Sequence, residues 1–273
     1  MTQADKGEQF RRLHEGPKTL LLPNPWDAGS AHVLAALGFE ALTTTSAGLA
    51  WTLGRTDGTR SVSRDEALAN AKSIVDATAL PVAADLENGY GDDPQTVAET
   101  VRQAAQAGLV GCSIEDATGR EDQPVYDFDF AVERIAAAAK AARALPFPFM
   151  LVARAENLLQ GIDDLDDAIR RLHAYEEAGA DVLYAPMLPD AASIRRVVGS
   201  VKKPVNVLAA GPLLSMSVAE LSTLGVRRIS VGSGFTRVAF SSFIRAAKDM
   251  LDGGRFDSIG SSMTFGEIAA LVQ

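Results

Sequence analysis

The sequence predicts an α/β protein built as a closed (β/α)8 TIM barrel with extra C-terminal helices. Three observations predict it. Short apolar runs alternate with longer amphipathic segments, and eight such pairs follow one another. The runs are almost continuously apolar, as parallel strands covered on both faces must be. Eight βα units in one chain favour a closed barrel over an open, doubly wound sheet. No linker of changed composition interrupts the series, so 1–273 reads as a single domain.

Taken in order, strands are expected at 20–23, 41–46, 81–87, 111–116, 149–156, 181–187, 205–209 and 229–233. Helices are expected at 28–37, 64–78, 96–107, 130–142, 164–178, 191–198, 218–224 and 235–251. Gly38, Gly108, Gly179 and Gly225 each close a helical segment, where a left-handed C-cap favours a residue without Cβ. Asp27, Ser63, Asp93 and Ser217 stand where a side-chain oxygen caps the next helix. After strand eight the chain runs through Gly253-Gly254 to a last amphipathic stretch at 265–272. A minimal barrel has no place for that stretch, so the tail 235–273 is expected to pack on a partner subunit.

Composition narrows the function. The 26 Lys and Arg against 35 Asp and Glu give a net charge of −9, which argues against a nucleic-acid or anionic-membrane surface. A single Cys allows no disulfide within the chain and no CxxC zinc site, and fits a reducing cytoplasm. The first 20 residues lack the apolar run of a signal peptide, and no stretch of 18 apolar residues spans a membrane. A cytoplasmic location is therefore expected.

In such a barrel the chemistry lies at the carboxyl ends of the strands. Strand three ends in ADLENGYG, strand four in Ser113-Ile114-Glu115-Asp116, and strand five in Arg154-Ala155-Glu156-Asn157. Period-two alternation puts Asp85 with Glu87, Ser113 with Glu115 and Arg154 with Glu156 on shared faces. Asp85, Glu87 and Glu115 thus lie together at the mouth. Packed carboxylates repel unless a cation joins them. A donor set of oxygens without His or Cys selects a hard cation, Mg2+ or Mn2+. Arg154 supplies a fork for an anionic substrate, or else simply pairs with Glu115 or Glu156. His14, His32 and His173 avoid the strand ends, which leaves no His base or His-ligated metal. Cys112 is out of phase with Glu115 and faces the helices. Thr43, Thr44, Thr45 and Ser46 lead into a small turn, Ala47-Gly48-Leu49, whose N–H groups could approach a carboxylate. The polar segment 50–62, with Arg55, Asp57 and Arg60, is long enough to fold over the mouth. Gly211, Gly232 and Gly234 fall where barrels bind phosphate, though short turns also use Gly for geometry alone.

These residues resemble the isocitrate lyase / phosphoenolpyruvate mutase superfamily over roughly residues 17 to 240. PNPWDAGSA resembles its opening strand and turn, and TTTSAGLAWTLGRTDG its substrate-binding turn, with the LGxxD pattern ending at Asp57. ADLENGYG resembles the DxDxGYG metal motif, SIED the IED motif, and VARAEN the strand that carries the arginine. The resemblance implies Mg2+ held directly by Asp85, with Glu87 and Glu115 acting mostly through water. It implies a small 2-oxo acid bound by Thr44, Ser46, Ala47, Gly48, Leu49, Asp85, Arg154 and Asn206, with Arg154, Asp57 and Glu115 as catalytic groups. It also implies a homo-oligomer, dimer or tetramer, in which the last barrel helix swaps to a neighbour.

The sequence departs from the family at one loop. The lyases carry a KKCGH-like segment after IED, whose Cys protonates the product carbanion, and the mutases carry Lys and Asn there. Here 117–124 reads ATGREDQP, with Arg120 its only basic residue. Isocitrate and methylisocitrate cleavage are therefore not expected. The expected activity is Mg2+-dependent, oxaloacetate decarboxylase-like C–C cleavage of a small 2-oxo dicarboxylate through a metal-stabilised enolate. The alternatives are a phosphonopyruvate-type P–C mutase or hydrolase, and a non-catalytic barrel that binds a 2-oxo acid.

Overall fold

The computed structural model describes residues 1–272. Eight parallel strands alternate with helices: β1 (Leu20–Leu22), β2 (Leu42–Thr43), β3 (Val82–Asp85), β4 (Gly111–Glu115), β5 (Met150–Arg154), β6 (Val182–Tyr184), β7 (Val205–Leu208) and β8 (Arg228–Ser230). They pair in the order β1-β8-β7-β6-β5-β4-β3-β2. The Thr43 N–H donates to the Pro23 carbonyl at 3.1 Å and draws β2 toward β1, so the barrel nearly closes. Asn24 fastens the same seam. Its amide donates to the Thr44 carbonyl, and its side-chain oxygen accepts from the N–H groups of Val231 and Gly232.

The helices are α1 (Gln3–Glu15), α2 (Ala28–Ala36), α3 (Ser46–Thr52), α4 (Arg64–Asp76), α5 (Pro94–Gln106), α6 (Phe128–Arg143), α7 (Leu165–Glu177), α8 (Ala191–Ser200), α9 (Val218–Thr223), α10 (Gly234–Gly253), α11 (Asp257–Gly260) and α12 (Phe265–Leu271). Strand alternation divides the core in two. Leu20, Leu22, Ala83, Met150, Val152 and Val182 fill the barrel. Ala84, Cys112, Ile114, Leu151, Ala153 and Ile229 face the surrounding helices, as expected for Cys112. The caps at Asp27, Ser63, Asp93 and Ser217 are all made.

Three expectations need correction. First, α1 precedes the barrel where no element was expected. It lies under the amino ends of the strands, with Phe10 fully buried against the barrel interior. A Cβ on Gly7 would come within 2.5 Å of the Pro148 carbonyl oxygen, so glycine permits this close approach. Second, the segment from Ser46 to Leu49 is the first turn of α3 rather than a turn, because the Thr45 hydroxyl caps the Gly48 N–H. Third, strand eight begins at Arg228, one residue earlier than its apolar run, which brings a charged residue into the barrel.

In the tail, Thr236 is the one buried residue of α10. Phe243 is 68% exposed and Leu251 84%. No helix among the described residues is long and apolar enough to cross a membrane.

Candidate active site

β3, β4 and β5 end side by side, and their register sets Asp85 opposite Ser113 and Glu115 opposite Arg154. Arg154 is the hub. Its Nη1 lies 3.1 Å from Asp85 Oδ1 and 3.2 Å from Glu115 Oε2, and its Nε donates to Glu156 Oε1 at 2.7 Å. Only 11% of the Arg154 side chain is exposed, and none of Glu156. Burial opposes the guanidinium charge, but Glu115, Glu156 and Asp85 outweigh it and push its pKa up. The ion pairs weighed from the sequence are thus present, and they include Asp85.

Asp85 is gripped from several sides. Its Oδ1 also accepts from the Glu87 N–H at 3.3 Å and the Ser113 hydroxyl at 3.4 Å, and its Oδ2 from the Ser46 N–H at 3.4 Å. The Thr44 hydroxyl accepts from the Asp85 N–H at 3.0 Å, tying β3 to the end of β2. Glu87 does not continue the strand. Its φ of 47° is left-handed, a conformation that costs a non-glycine residue on the order of 1–3 kcal/mol. Asn88 and Tyr90 complete the bend, with the Asn88 side-chain oxygen accepting from the Tyr90 N–H.

The carboxylates around Arg154 outnumber it, and burial and mutual repulsion raise their pKa values. Burial, then Asp85 and Asp57, push Glu87 up to about 7. Burial raises Glu115 well above the carboxylate range against the pull of Arg154. Burial and Asp85 raise Asp57, while a hydrogen bond with Ser46 opposes them. Because the folded pKa of Glu87 exceeds its unfolded value, the native state binds the extra proton between about pH 4.5 and 7, and stability falls as pH rises through that window. Glu87→Gln is therefore expected to stabilise the chelator-treated protein at pH 8 by on the order of 2–3 kcal/mol, and hardly at pH 4. Urea unfolding of both proteins at the two pH values checks this; an equal effect at both would refute it.

One cavity of about 210 Å³ is lined by Thr44, Ser46, Ala47, Asp57, Asp85 and Arg154, together with β6 and β8 residues. A neighbouring cleft of about 510 Å³ takes Glu87, Glu115, Arg60 and Arg120. Gly48, Leu49 and Asn206 line neither. A Cβ on Gly48 would lie 2.5 Å from Thr45 Cγ2 and 2.8 Å from both Trp26 Cβ and Thr236 Oγ1, so this glycine serves the packing of α3. Asn206 is buried and donates to the Ser230 hydroxyl at 3.0 Å. Among the described residues, no three Asp, Glu, His or Cys side chains converge tightly enough to hold a metal by themselves. Asp85, Glu87 and Glu115 are therefore near neighbours without forming the closed cluster expected from alternation. The left-handed bend at Glu87 and the Arg154 bridge account for this.

Sequence reasoning missed two supporting networks. Asp92 receives the Tyr126 hydroxyl at 2.5 Å, Arg60 at 2.6 Å and Arg120 at 2.8 Å, and these hydrogen bonds hold its carboxyl well below the usual range despite burial. Arg120 is thereby engaged, and 117–125 is closed by an antiparallel bridge between Ala117 and Val125. Behind β4, Asp116 accepts from Arg171, the Tyr175 hydroxyl and the Glu156 N–H.

Carboxylates and an arginine held at the carboxyl ends of neighbouring strands lie where proteins of the α/β-barrel class carry their active sites. Residues 10–251 match the family model described as phosphoenolpyruvate phosphomutase. The chain belongs to that family, within the isocitrate lyase/PEP mutase superfamily. It is 30% identical to the 2-methylisocitrate lyase of Escherichia coli over 236 residues, 83% of this chain and 78% of that one. A solved candidate lyase/mutase from Burkholderia cenocepacia J2315 is 53% identical, with a TM-score of 0.95 over 98% of this chain and 95% of that one. Oxaloacetate acetylhydrolase, solved with its product oxalate, is 26% identical, with a TM-score of 0.87 over 98% and 94%. The superfamily includes lyases and mutases acting on small acids.

Proposed function

We propose that the protein is a Mg2+-dependent lyase that cleaves a C–C bond in a small 2-oxo dicarboxylate, with oxaloacetate decarboxylation as the simplest case. The observation that carries the reading is the oxygen-rich mouth, where Asp85, Glu115 and Glu156 crowd Arg154 and Glu87 is left without a cation of its own among the described residues. Its donors are hard oxygens with no His or Cys, and Mg2+ keeps several waters and needs only one or two direct carboxylates. Asp85 would be the direct ligand, with Glu87 and Glu115 acting through water; Mn2+ fits the same donors. When bound, the metal supplies Lewis acidity toward the enolate that bond cleavage leaves. Arg154 adds fixed positive charge beside the developing oxyanion. The Ala47 N–H, in the open first turn of α3 beside the cavity, would donate to the ligand's carboxylate. Asp57, half-buried over Ser46, closes that end from the loop side.

The loop 117–124 holds no thiol, imidazole or ammonium, and its one arginine is tied to Asp92. Decarboxylation only has to stabilise an enolate, with water protonating it later, whereas aldol-type cleavage must deliver a proton to the product carbanion. Mg2+-dependent pyruvate release from oxaloacetate above the metal-only rate is expected, with none from isocitrate or methylisocitrate. Robust methylisocitrate cleavage would overturn this loop argument. Turnover of phosphonopyruvate alone would favour P–C chemistry, and no turnover of any of them would favour a 2-oxo-acid-binding protein.

The tail fits a partner subunit. An α10 that buries Thr236 alone and exposes Val238, Phe243, Met250 and Leu251 is an apolar surface of the kind that oligomers cover. The reading is a single barrel domain whose residues 235–273 swap onto a second copy, in a dimer or tetramer. Light scattering of the wild type should give a multiple of 28.8 kDa. Phe243→Glu with Leu251→Glu should shift it toward the monomer, and a monomeric wild type would end the idea.

A further inference from the structure

Arg228 is a buried cation that forms no ion pair among the described residues. It opens β8, where alternation turns Arg228 and Ser230 into the barrel and Ile229 to the helices. Its residue is 4% exposed. Its Nε has no hydrogen-bond partner among the described residues. Its one side-chain hydrogen bond among the described residues is Nη1 to His14 Nε2, at a long 3.4 Å. His14 is neutral, because burial and then Arg228 itself drive its pKa down to about 3. Its Nδ1 lies 2.8 Å from the Phe10 carbonyl and must carry the proton, so Nε2 offers Arg228 only a lone pair. Burial lowers the Arg228 pKa to about 10, which leaves it charged at neutral pH. An isolated buried charge is costly, and proteins retain one where something else compensates it.

The compensation has an obvious place to bind. The cavity lined by Ser46, Asp85 and Arg154 is lined also by Tyr184, Arg228 and Ser230. Beside Arg228 on β7, the buried Asn206 holds Ser230 through its amide while its own side-chain oxygen is unpartnered. At about 210 Å³ the cavity is smaller than the roughly 300–1,000 Å³ of drug-sized sites, so one small molecule would touch both walls. We propose that Arg228, with Ser230 and Tyr184, forms a second anion subsite that takes the distal carboxylate of the diacid whose 2-oxo-acid end lies at Asp85 and Ser46. Asn206 is a positioning residue, fixing the Ser230 hydroxyl. The subsite makes the protein select acids that carry a distal carboxylate over shorter ones such as oxalate. It deepens the lyase reading and rests on it for the placement of the 2-oxo-acid end.

The test compares two probes by calorimetry in the presence of Mg2+. Oxalate reaches only the Asp85 end; 3,3-difluorooxaloacetate carries the distal carboxylate as well. Arg228→Met, apolar and of similar length, should weaken 3,3-difluorooxaloacetate at least about 10-fold, the lower range for a lost charge-assisted bond, and leave oxalate within about 2-fold. Removing an uncompensated buried charge should also hold the unfolding midpoint or raise it by about 2–4 °C. Equal losses for both probes, or none for either, overturn the subsite; so does a lowered midpoint with unchanged selectivity. A wild type that fails to bind 3,3-difluorooxaloacetate overturns it whatever oxalate does. Binding of 3,3-difluorooxaloacetate that depends on Arg228, with no oxalate binding by the wild type, keeps the subsite and removes the metal-centred reading instead. If Arg228→Met does not fold, Arg228→Lys carries the same comparison: a selective loss of the longer probe supports the subsite, and no loss overturns it.

Discussion

Asp85→Ala is expected to lower the affinity for oxalate in the presence of Mg2+ by at least about 100-fold, or about 2.7 kcal/mol. Supporting residues one step removed from a metal already cost about 10–100-fold when changed, and a direct ligand should cost more. Among the described residues, Asp85 is the acid that touches Arg154, the first turn of α3 and the turn after β3 at once. The fold should survive the change, since Arg154 keeps Glu115 at 3.2 Å and Glu156 at 2.7 Å. Circular dichroism and urea unfolding establish that the variant is folded, and calorimetric titration with oxalate, with and without Mg2+, reads the loss. Unchanged affinity in a folded variant would sink the metal-centred reading. Equal oxalate binding by the wild type with and without Mg2+ would do the same.

The barrel was legible because its code is local. A buried parallel strand is a short apolar run, and a βα unit repeats that run at a spacing a reader can count. Asp85, Glu115 and Arg154 were legible because each ends such a run, and strand register carries them to the same rim. What escaped was coded differently. The buried stripe of α1 is Gly7, Phe10 and His14, at helical spacing but without an aliphatic residue, so no apolar period announces it. α3 opens with Ser46, Ala47 and Gly48, which suit a tight turn as well as a helix; the Thr45 cap decides between them. Alternation placed Glu87 on the Asp85 face, yet the strand stops at Asp85, and a left-handed Glu87 follows no period-two rule. Arg228 was hidden by its own charge, since a strand is naturally begun at its first apolar residue, Ile229. The pair Arg227-Arg228 held a usable signal all the same: neighbours at the start of a strand point opposite ways, so one of the two had to turn inward. Arg227 stays outside, donating to the carbonyls of Gly16 and Pro17.

Asp116→Ala is expected to cost roughly 3–5 kcal/mol of folding stability, the usual penalty for breaking a buried ion pair from one side. That is a large share of the 5–15 kcal/mol that typically holds a domain together. Asp116 directly follows β4, and its partners on α7 place its side chain in the layer between barrel and helices. There it is 1% exposed. Its Oδ2 accepts from Arg171 Nη1 at 2.9 Å and from the Tyr175 hydroxyl at 2.6 Å, both on α7, and its Oδ1 from the Glu156 N–H at 2.8 Å. The partners lie 40 to 59 residues away in sequence, which is why no motif reveals them. Truncation strands a buried guanidinium whose remaining partners are Asp167 and the Tyr126 carbonyl. It also frees the backbone of Glu156, the residue that holds Arg154 Nε, so oxalate affinity should fall along with stability. Tyr175→Phe removes one of the three hydrogen bonds and no charge, and should cost only about 1 kcal/mol with oxalate binding intact. Urea unfolding of the two variants beside the wild type reads the contrast. Similar small losses in both would mean that Asp116 merely fills space behind β4 and does not brace the arginine in front of it.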